Sequence, residues 1–368
     1  MMLRRGFLLL AAGFLLTFPA AAQTRLPSLY TISNVAVDAT AQSAVQARDI
    51  ARADGERRAF RTLLERLTLR DDWGRLPKVS DADLFDLVQD FEVNSERSST
   101  VRYLATLTFR FRPEPVRRLL RDQGIAFTET RSKPLVVLPV LTLAGKNMLW
   151  DDPNPWRAAW SKLALAEGLV PMQVPLAELG DVQAIDADQA VKGDKGALAE
   201  IGRRYGNDDV LVTEASLSGS GDQRVLQITT ARYGAGFSDQ TWVGSVKATA
   251  ADESDDDFYG QAVAAVIADV TEAWKKATLS RSGDAASLVV MVPIAGGLKD
   301  WVTVRDRLQS IPAVQRANLI SLTPTGARVE IRYIGDPAQL QLVLSQRDLA
   351  LAQGDPDWTL TAKGGAAQ

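Results

Sequence analysis

The chain has no histidine and no cysteine among its 368 residues. Without an imidazole base, a Ser-His-Asp or Cys-His nucleophile system cannot form. The same two absences exclude zinc sites built from His and Cys, thiol redox chemistry, disulfides, and the usual ligation of haem or iron–sulfur clusters. Any catalysis would have to use Asp, Glu, Lys, Arg, Tyr, Ser or Thr side chains. No cofactor site is predicted.

The start of the chain has the pattern of an export signal. Arg4 and Arg5 precede an apolar run from Gly6 to Phe18, and small residues follow it. This pattern predicts a secretory signal peptide over residues 1–22, cleaved before Gln23. The run is shorter than the roughly 20 apolar residues that a membrane helix needs, and no later stretch is apolar enough to span a membrane. We therefore expect a periplasmic protein without a membrane span after cleavage.

The charge balance bears on the class of partner. The chain carries 42 basic and 45 acidic residues, for a net charge of −3. A mildly acidic protein has no basic field to hold nucleic acid or anionic lipid. The apolar fraction of 46% is that of ordinary globular domains. We expect envelope proteins as partners, and no nucleic acid.

Two polar segments, Thr128–Pro134 and Ser280–Ala285, suggest linkers between compact pieces of ordinary domain size. We predict an N-terminal α+β module at residues 28–130 and a central α/β domain at residues 133–280. A third domain follows at residues 285–362, and a disordered tail at residues 363–368.

Hydrophobic periodicity predicts the elements of each piece. The first piece reads as a βα-ββα module, with a long helix and then an alternating strand near residues 101–112. The second begins with the continuous apolar strand Leu135–Leu141, which is typical of a strand covered on both faces, and reads as an α/β domain with a mixed sheet. The third reads as β-α-β-β-α-β, the order of the ferredoxin-like split motif, with Trp358–Thr361 as its last strand. The fold class is thus α/β and α+β, in several domains.

The most unusual segment combines tryptophans, carboxylates and prolines after the first strand of the second piece. Ligands bind at the carboxyl ends of strands in open α/β sheets, and tryptophans beside carboxylates suit sugar or peptide recognition. An alternative is purely structural, with Asn154 as a helix cap and two tryptophans packed four residues apart. The candidate binding residues are Trp150, Asp151, Asp152, Asn154, Trp156 and Trp160.

Two other acidic groups are candidate sites. The run Asp252–Asp257 lacks the spacing of a calcium loop, and Ser254 with Asp257 instead predicts a capping box at a helix start. Asp208 and Asp209, with Glu214 further along a strand, offer the paired carboxylates that glycoside hydrolysis needs. A solvated position at the start of a strand is the alternative for the aspartate pair. No metal site is predicted.

Four segments resemble a bacterial family known as domain of unknown function 2066, whose members are exported. They are Leu29–Asp38, Arg57–Leu67, Trp150–Trp156 and Ile201–Val212. The resemblance would cover nearly all of the mature chain and implies no catalytic residues. More loosely, the first two pieces are similar to periplasmic modules of flagellar, curli-secretion and Tol-associated proteins, which implies a role in assembly and docking.

Together these features predict an exported, non-enzymatic binding or scaffold protein, an accessory in cell-envelope assembly. Two alternatives stay open. One is a carboxylate-based hydrolase of envelope glycan that uses Asp151, Asp152 or Glu214. The other is a binder of a sugar or peptide at the loop from Trp150 to Trp156.

Overall fold

The computed structural model describes residues 28–163, 167–234, 240–247, 254–279, 285–294, 297–354 and 357–362. The predicted signal peptide and C-terminal tail lie outside these residues, as do Asp252, Glu253 and most of the second predicted linker. The described residues form three sheets flanked by helices, which confirms the mixed α/β class. No helix within these ranges is long and apolar enough to cross a membrane.

The N-terminal part is a three-stranded antiparallel sheet in the order β1-β3-β2, with one face covered by a long helix. A 3-10 turn over Arg70–Arg75 follows that helix. The elements are β1 (Thr31–Thr40), α1 (Ala44–Leu67), α2 (Asp81–Leu87), β2 (Val88–Ser98), β3 (Arg102–Phe111) and α3 (Pro113–Asp122).

Helix α1 lies close to its sheet because small residues line the contact. Ala47, Ala51 and Ala59 are buried, and Gly55 lies between them on the same ridge. A Cβ atom added at Gly55 would be 2.8 Å from a methyl carbon of Val37. This ridge of small residues therefore faces the protein's own core.

The central part is a mixed sheet in the order β5-β4-β7-β8-β9, with β6 paired to the start of β4. β4 is parallel to β6 and β7, and the other neighbours are antiparallel. Both faces of β4 are buried, as its continuous apolar sequence predicts. The strands are β4 (Leu135–Leu143), β5 (Lys146–Met148), β6 (Met172–Gln173), β7 (Val210–Ser218), β8 (Val225–Tyr233) and β9 (Gln240–Lys247). The helices are α4 (Pro155–Ser161), α5 (Leu179–Ala184), α6 (Ala187–Lys192), α7 (Lys195–Arg204) and α8 (Asp255–Thr278).

The C-terminal sheet has five strands in the order β11-β12-β10-β14-β13, rather than the four of the predicted split motif. Strand β13, a short strand that follows soon after a helix, was not predicted from the sequence. It forms a hairpin with β14, which pairs in parallel with β10. The elements are β10 (Ala285–Pro293), α9 (Leu298–Gln309), β11 (Val314–Thr323), β12 (Gly326–Ile334), α10 (Pro337–Ser345), β13 (Leu349–Ala352) and β14 (Trp358–Ala362).

The segment Thr128–Pro134 is not the exposed linker that its polar sequence suggests. Thr128, Thr130 and Ser132 are buried. The indole N–H of Trp274 donates to the Thr130 carbonyl oxygen at 2.6 Å, and the Thr128 and Thr278 hydroxyls are 3.0 Å apart. The segment is packed because residues far away in sequence bond to its polar groups. The domain boundaries themselves stay a prediction.

Candidate binding sites

The two C-terminal tryptophans of the predicted recognition segment lie inside the central core. Trp156 and Trp160 are both fully buried, and their rings meet edge to face with centroids 5.8 Å apart. The Trp156 indole N–H donates to the Thr213 carbonyl oxygen on β7 at 3.1 Å. Neither ring offers surface to a ligand in this arrangement.

The other four residues divide between structure and surface. Asn154 is buried and caps α4, accepting a hydrogen bond from the Arg157 amide at 3.0 Å. Half-buried Trp150 donates from its indole N–H to the Ile185 carbonyl oxygen at 2.7 Å. Asp151 and Asp152 are exposed, and a hydrogen bond from Lys146 lowers the pKa of Asp151. A ligand-binding role thus stays a prediction only for the surface that Trp150, Asp151 and Asp152 present.

Asp209 and Glu214, one pair of carboxylates considered for glycan hydrolysis, do not converge. Asp209 is buried and pairs with Arg232 at 2.5 Å, so the expectation that it is solvated is wrong. Glu214 is five residues further along the chain, and successive side chains alternate between the faces of a strand. The two acids therefore lie on opposite faces of the sheet, and Glu214 accepts a hydrogen bond from the Thr142 hydroxyl at 3.1 Å. Asp208 is exposed.

Helix α8 begins at Asp255, as the sequence predicts. Ser254 is the N-cap, and its side chain accepts a hydrogen bond from the Asp257 amide at 3.1 Å. Within the described ranges, no group of three or more His, Cys, Asp or Glu side chains could hold a metal ion.

A polar cleft of about 360 Å³ lies between α3 and the residues that lead into β11. Arg117 and Arg121 line it from α3, and Gln315 and Ile334 line it from the C-terminal sheet. The Arg117 guanidinium forms an ion pair with Glu129 at 2.8 Å. Arg121 is exposed and has no ion-pair or hydrogen-bond partner in the part of the chain that the structure describes.

Among the described strands, β11 is at the edge of the C-terminal sheet and pairs only with β12. Its backbone groups on the far side are unpaired among the described residues, which makes it a template for another strand. Leu319, Ile320 and Leu322 are exposed to 44%, 55% and 47%. Long apolar edge strands are unusual because they invite pairing with other chains. The predicted β-α-β-β-α-β order includes this strand but does not show that it lies at the edge of the sheet.

The two faces of β11 differ in character. Leu319 lies opposite Val329 and Leu322 opposite Ala327, and both partners on β12 are buried. The apolar core side of the sheet therefore continues onto β11, where the two leucines are left uncovered. A register shift between Leu319 and Ser321 places Ile320 at a bulge.

A second apolar patch lies at α5, where Leu176, Leu179 and Val182 are exposed. Buried Asp181 anchors this turn, accepting from Arg204 at 3.0 Å and from the Tyr205 hydroxyl at 2.9 Å. The patch lacks the row of free backbone groups that β11 presents, so it offers less to direct a partner.

Comparison with known proteins identifies a domain but no activity. Residues 35–129 match the family described as Domain of unknown function (DUF8605). The N-terminal part of the chain thus contains a domain of unknown function, although not under the number 2066 that the sequence resemblance suggested. No curated protein matches the chain.

Among solved structures, the chain is similar to the crystal structure of lipoprotein GNA1162 from Neisseria meningitidis. Sequence identity is 17%, and the alignment covers 37% of this chain and 94% of that chain. The TM-score of 0.25 is too low to assign a shared fold.

Proposed function

We propose that this protein is an exported, non-enzymatic binding protein of the cell envelope, which docks a partner by adding a strand of that partner to β11. The single observation that carries the proposal is the ten-residue edge strand with three exposed apolar side chains. In strand addition, main-chain hydrogen bonds supply affinity, and alternate side chains supply specificity. The periplasmic location and the role in envelope assembly belong to the same proposal.

Two further features support binding rather than hydrolysis. Asp209 and Glu214, one of the acid pairs considered for catalysis, lie on opposite faces of a sheet, whereas glycoside hydrolysis needs two carboxyl groups that flank one bond. The sheet behind β11 is also firmly built, because Val329 and Ile331 of its neighbour β12 are fully buried. A rigid sheet edge keeps the entropic cost of binding a strand low.

The test is site-specific photo-crosslinking in cells that produce the full chain. A photoreactive amino acid at Ile320 should form an adduct with another protein, several times more efficiently than the same group at Val45. Val45 is the matched control because it is an aliphatic residue, 72% exposed, on the distant helix α1.

Adding Leu319→Lys to the Ile320 probe should abolish the adduct, since a charge would then occupy the apolar side of the added strand. Equal yields at Ile320 and Val45, or an adduct that survives Leu319→Lys, would refute docking at β11.

A further inference from the structure

The start of β11 places two cationic residues opposite each other. Arg316 lies directly opposite Arg332 of β12, and both are exposed. Like charges directly opposite each other on neighbouring strands are destabilising. Neither guanidinium has an ion-pair or hydrogen-bond partner among the described residues. The nearest acid in register, Glu330, instead accepts hydrogen bonds from Ser287 and Asn318.

One further cation lies at the neighbouring cleft, where the other charged lining residues, Glu114, Arg117 and Glu129, pair with one another. Gln315, which precedes Arg316 in sequence, lines that cleft together with Arg121. Arg121 likewise has no ionic partner in the described part of the chain. Arg316 is the single charged residue on β11, so the strand itself supplies no carboxylate to offset these cations.

The opposite face of β11 carries exposed apolar side chains. Leu319 and Leu322 continue the buried side of the sheet and are each more than two-fifths exposed. Side chains of an added strand alternate between the two faces with a period of two. One face of that strand would meet leucines, and the other would meet arginines.

We infer that the partner of β11, on the proposed function above, is an extended peptide segment in which apolar residues alternate with Asp or Glu. Its apolar side chains cover Leu319 and Leu322, and its carboxylates pair with Arg316 and Arg332. A second copy of this chain fits less well, because pairing one β11 with another brings no carboxylate to either arginine.

The test uses the full chain and two labelled ten-residue peptides. One alternates Val with Glu, and the other alternates Val with Lys. Fluorescence anisotropy should show that the Glu peptide binds about tenfold more tightly, which is the effect expected of two charge pairs of about 0.7 kcal/mol each. The difference should shrink as salt is added, because the arginines are exposed.

Charge reversal at the arginines should invert this preference. The double variant Arg316→Glu/Arg332→Glu should bind the Lys peptide better than the Glu peptide. Arg316→Gln/Arg332→Gln removes both positive charges without adding new charge and should abolish the preference. This variant tests the same pairing if the charge-reversed protein is unstable. The matched control is Arg97→Glu on the exposed edge strand β2, which should leave both affinities unchanged.

Each contrary result has a distinct meaning. Equal affinities for the two peptides, with hydrogen exchange slowed in β11 by both, would refute the acidic partner and leave docking at β11 standing. If neither peptide binds, the acidic partner is refuted, and docking is judged by the crosslinks at Ile320 alone. Dimerisation in sedimentation experiments that Leu319→Lys abolishes would identify a second copy as the occupant.

Discussion

Trp156 distinguishes packing from recognition most directly. Because its ring is fully buried and its indole N–H is hydrogen-bonded, Trp156→Ala should lower the free energy of unfolding by about 3–5 kcal/mol. Urea denaturation of the full chain measures this loss. Asp152→Ala is the control and should change stability by less than about 0.5 kcal/mol, since Asp152 is exposed. An unchanged stability in Trp156→Ala would contradict the core position.

Tyr30 should make the protein sensitive to alkaline pH. Burial, together with the adjacent Glu129 carboxylate, raises the pKa of the Tyr30 hydroxyl well above its ordinary value. The unfolded chain therefore loses this proton first, near pH 10. The stability that Tyr30 contributes is complete below that pH and is lost as the pH rises through the folded-state pKa.

The matching variant is Tyr30→Phe, which cannot ionise. Its free energy of unfolding, measured by urea denaturation at increasing pH, should decline less steeply above about pH 10 than that of the unchanged protein. Parallel declines in the two proteins would show that Tyr30 does not carry the effect.

Helices α1 and α8 offer a matched pair of glycines. A Cβ atom at Gly55 would lie 2.8 Å from Val37 and 3.1 Å from Phe109, whereas one at Gly260 would have no heavy atom within 4 Å. Gly55→Ala should destabilise the protein by about 1–3 kcal/mol through overpacking. Gly260→Ala should be neutral or stabilising by up to about 1 kcal/mol, because alanine favours the helix. Thermal denaturation of both variants tests this, and equal effects would contradict the close contact of α1 with its sheet.

The N-terminal and central sheets are joined through Lys275 of α8. Its ammonium group is buried and donates to the carbonyl oxygens of Glu65 and Thr68, at 2.6 and 2.7 Å, where α1 ends. A cation at this position satisfies carbonyl groups that a helix end otherwise leaves without partners. Burial lowers the pKa of Lys275.

Lys275→Met should therefore lower the free energy of unfolding by about 2–3 kcal/mol, because buried carbonyl groups lose their donor. The neighbouring Lys276→Met is the control and should have little effect, since Lys276 is exposed. Chemical denaturation compares the two. If both variants lose the same stability, the contact between α8 and the end of α1 is not important.

The packed segment before β4 should resist proteolysis. The Arg131 side chain donates to the Gly168 carbonyl oxygen at 2.9 Å. The Ser132 amide donates to the Leu169 carbonyl oxygen, also at 2.9 Å. Trypsin needs a locally unfolded chain, so brief digestion of the native protein should spare Arg131 and cleave first at exposed sites such as Arg97. Early cleavage after Arg131 would instead show that this segment is the exposed linker that the sequence suggested.

Local patterns in the sequence were sufficient for the main elements and several of their ends. The buried strand β4 and the Asn154 and Ser254 caps depend on residues a few positions apart, and these predictions are confirmed. Periodicity and capping report such short-range relations directly.

The candidate sites depended on contacts between residues far apart in the chain. Asp209 is buried because Arg232 lies beside it, and Thr130 is buried because Trp274, 144 residues away, donates to it. The edge position of β11 likewise follows from the strand order, which no local pattern encodes. The sequence therefore sets which segments are strands and helices, while long-range packing and sheet order decide which polar groups are satisfied and which strand faces solvent.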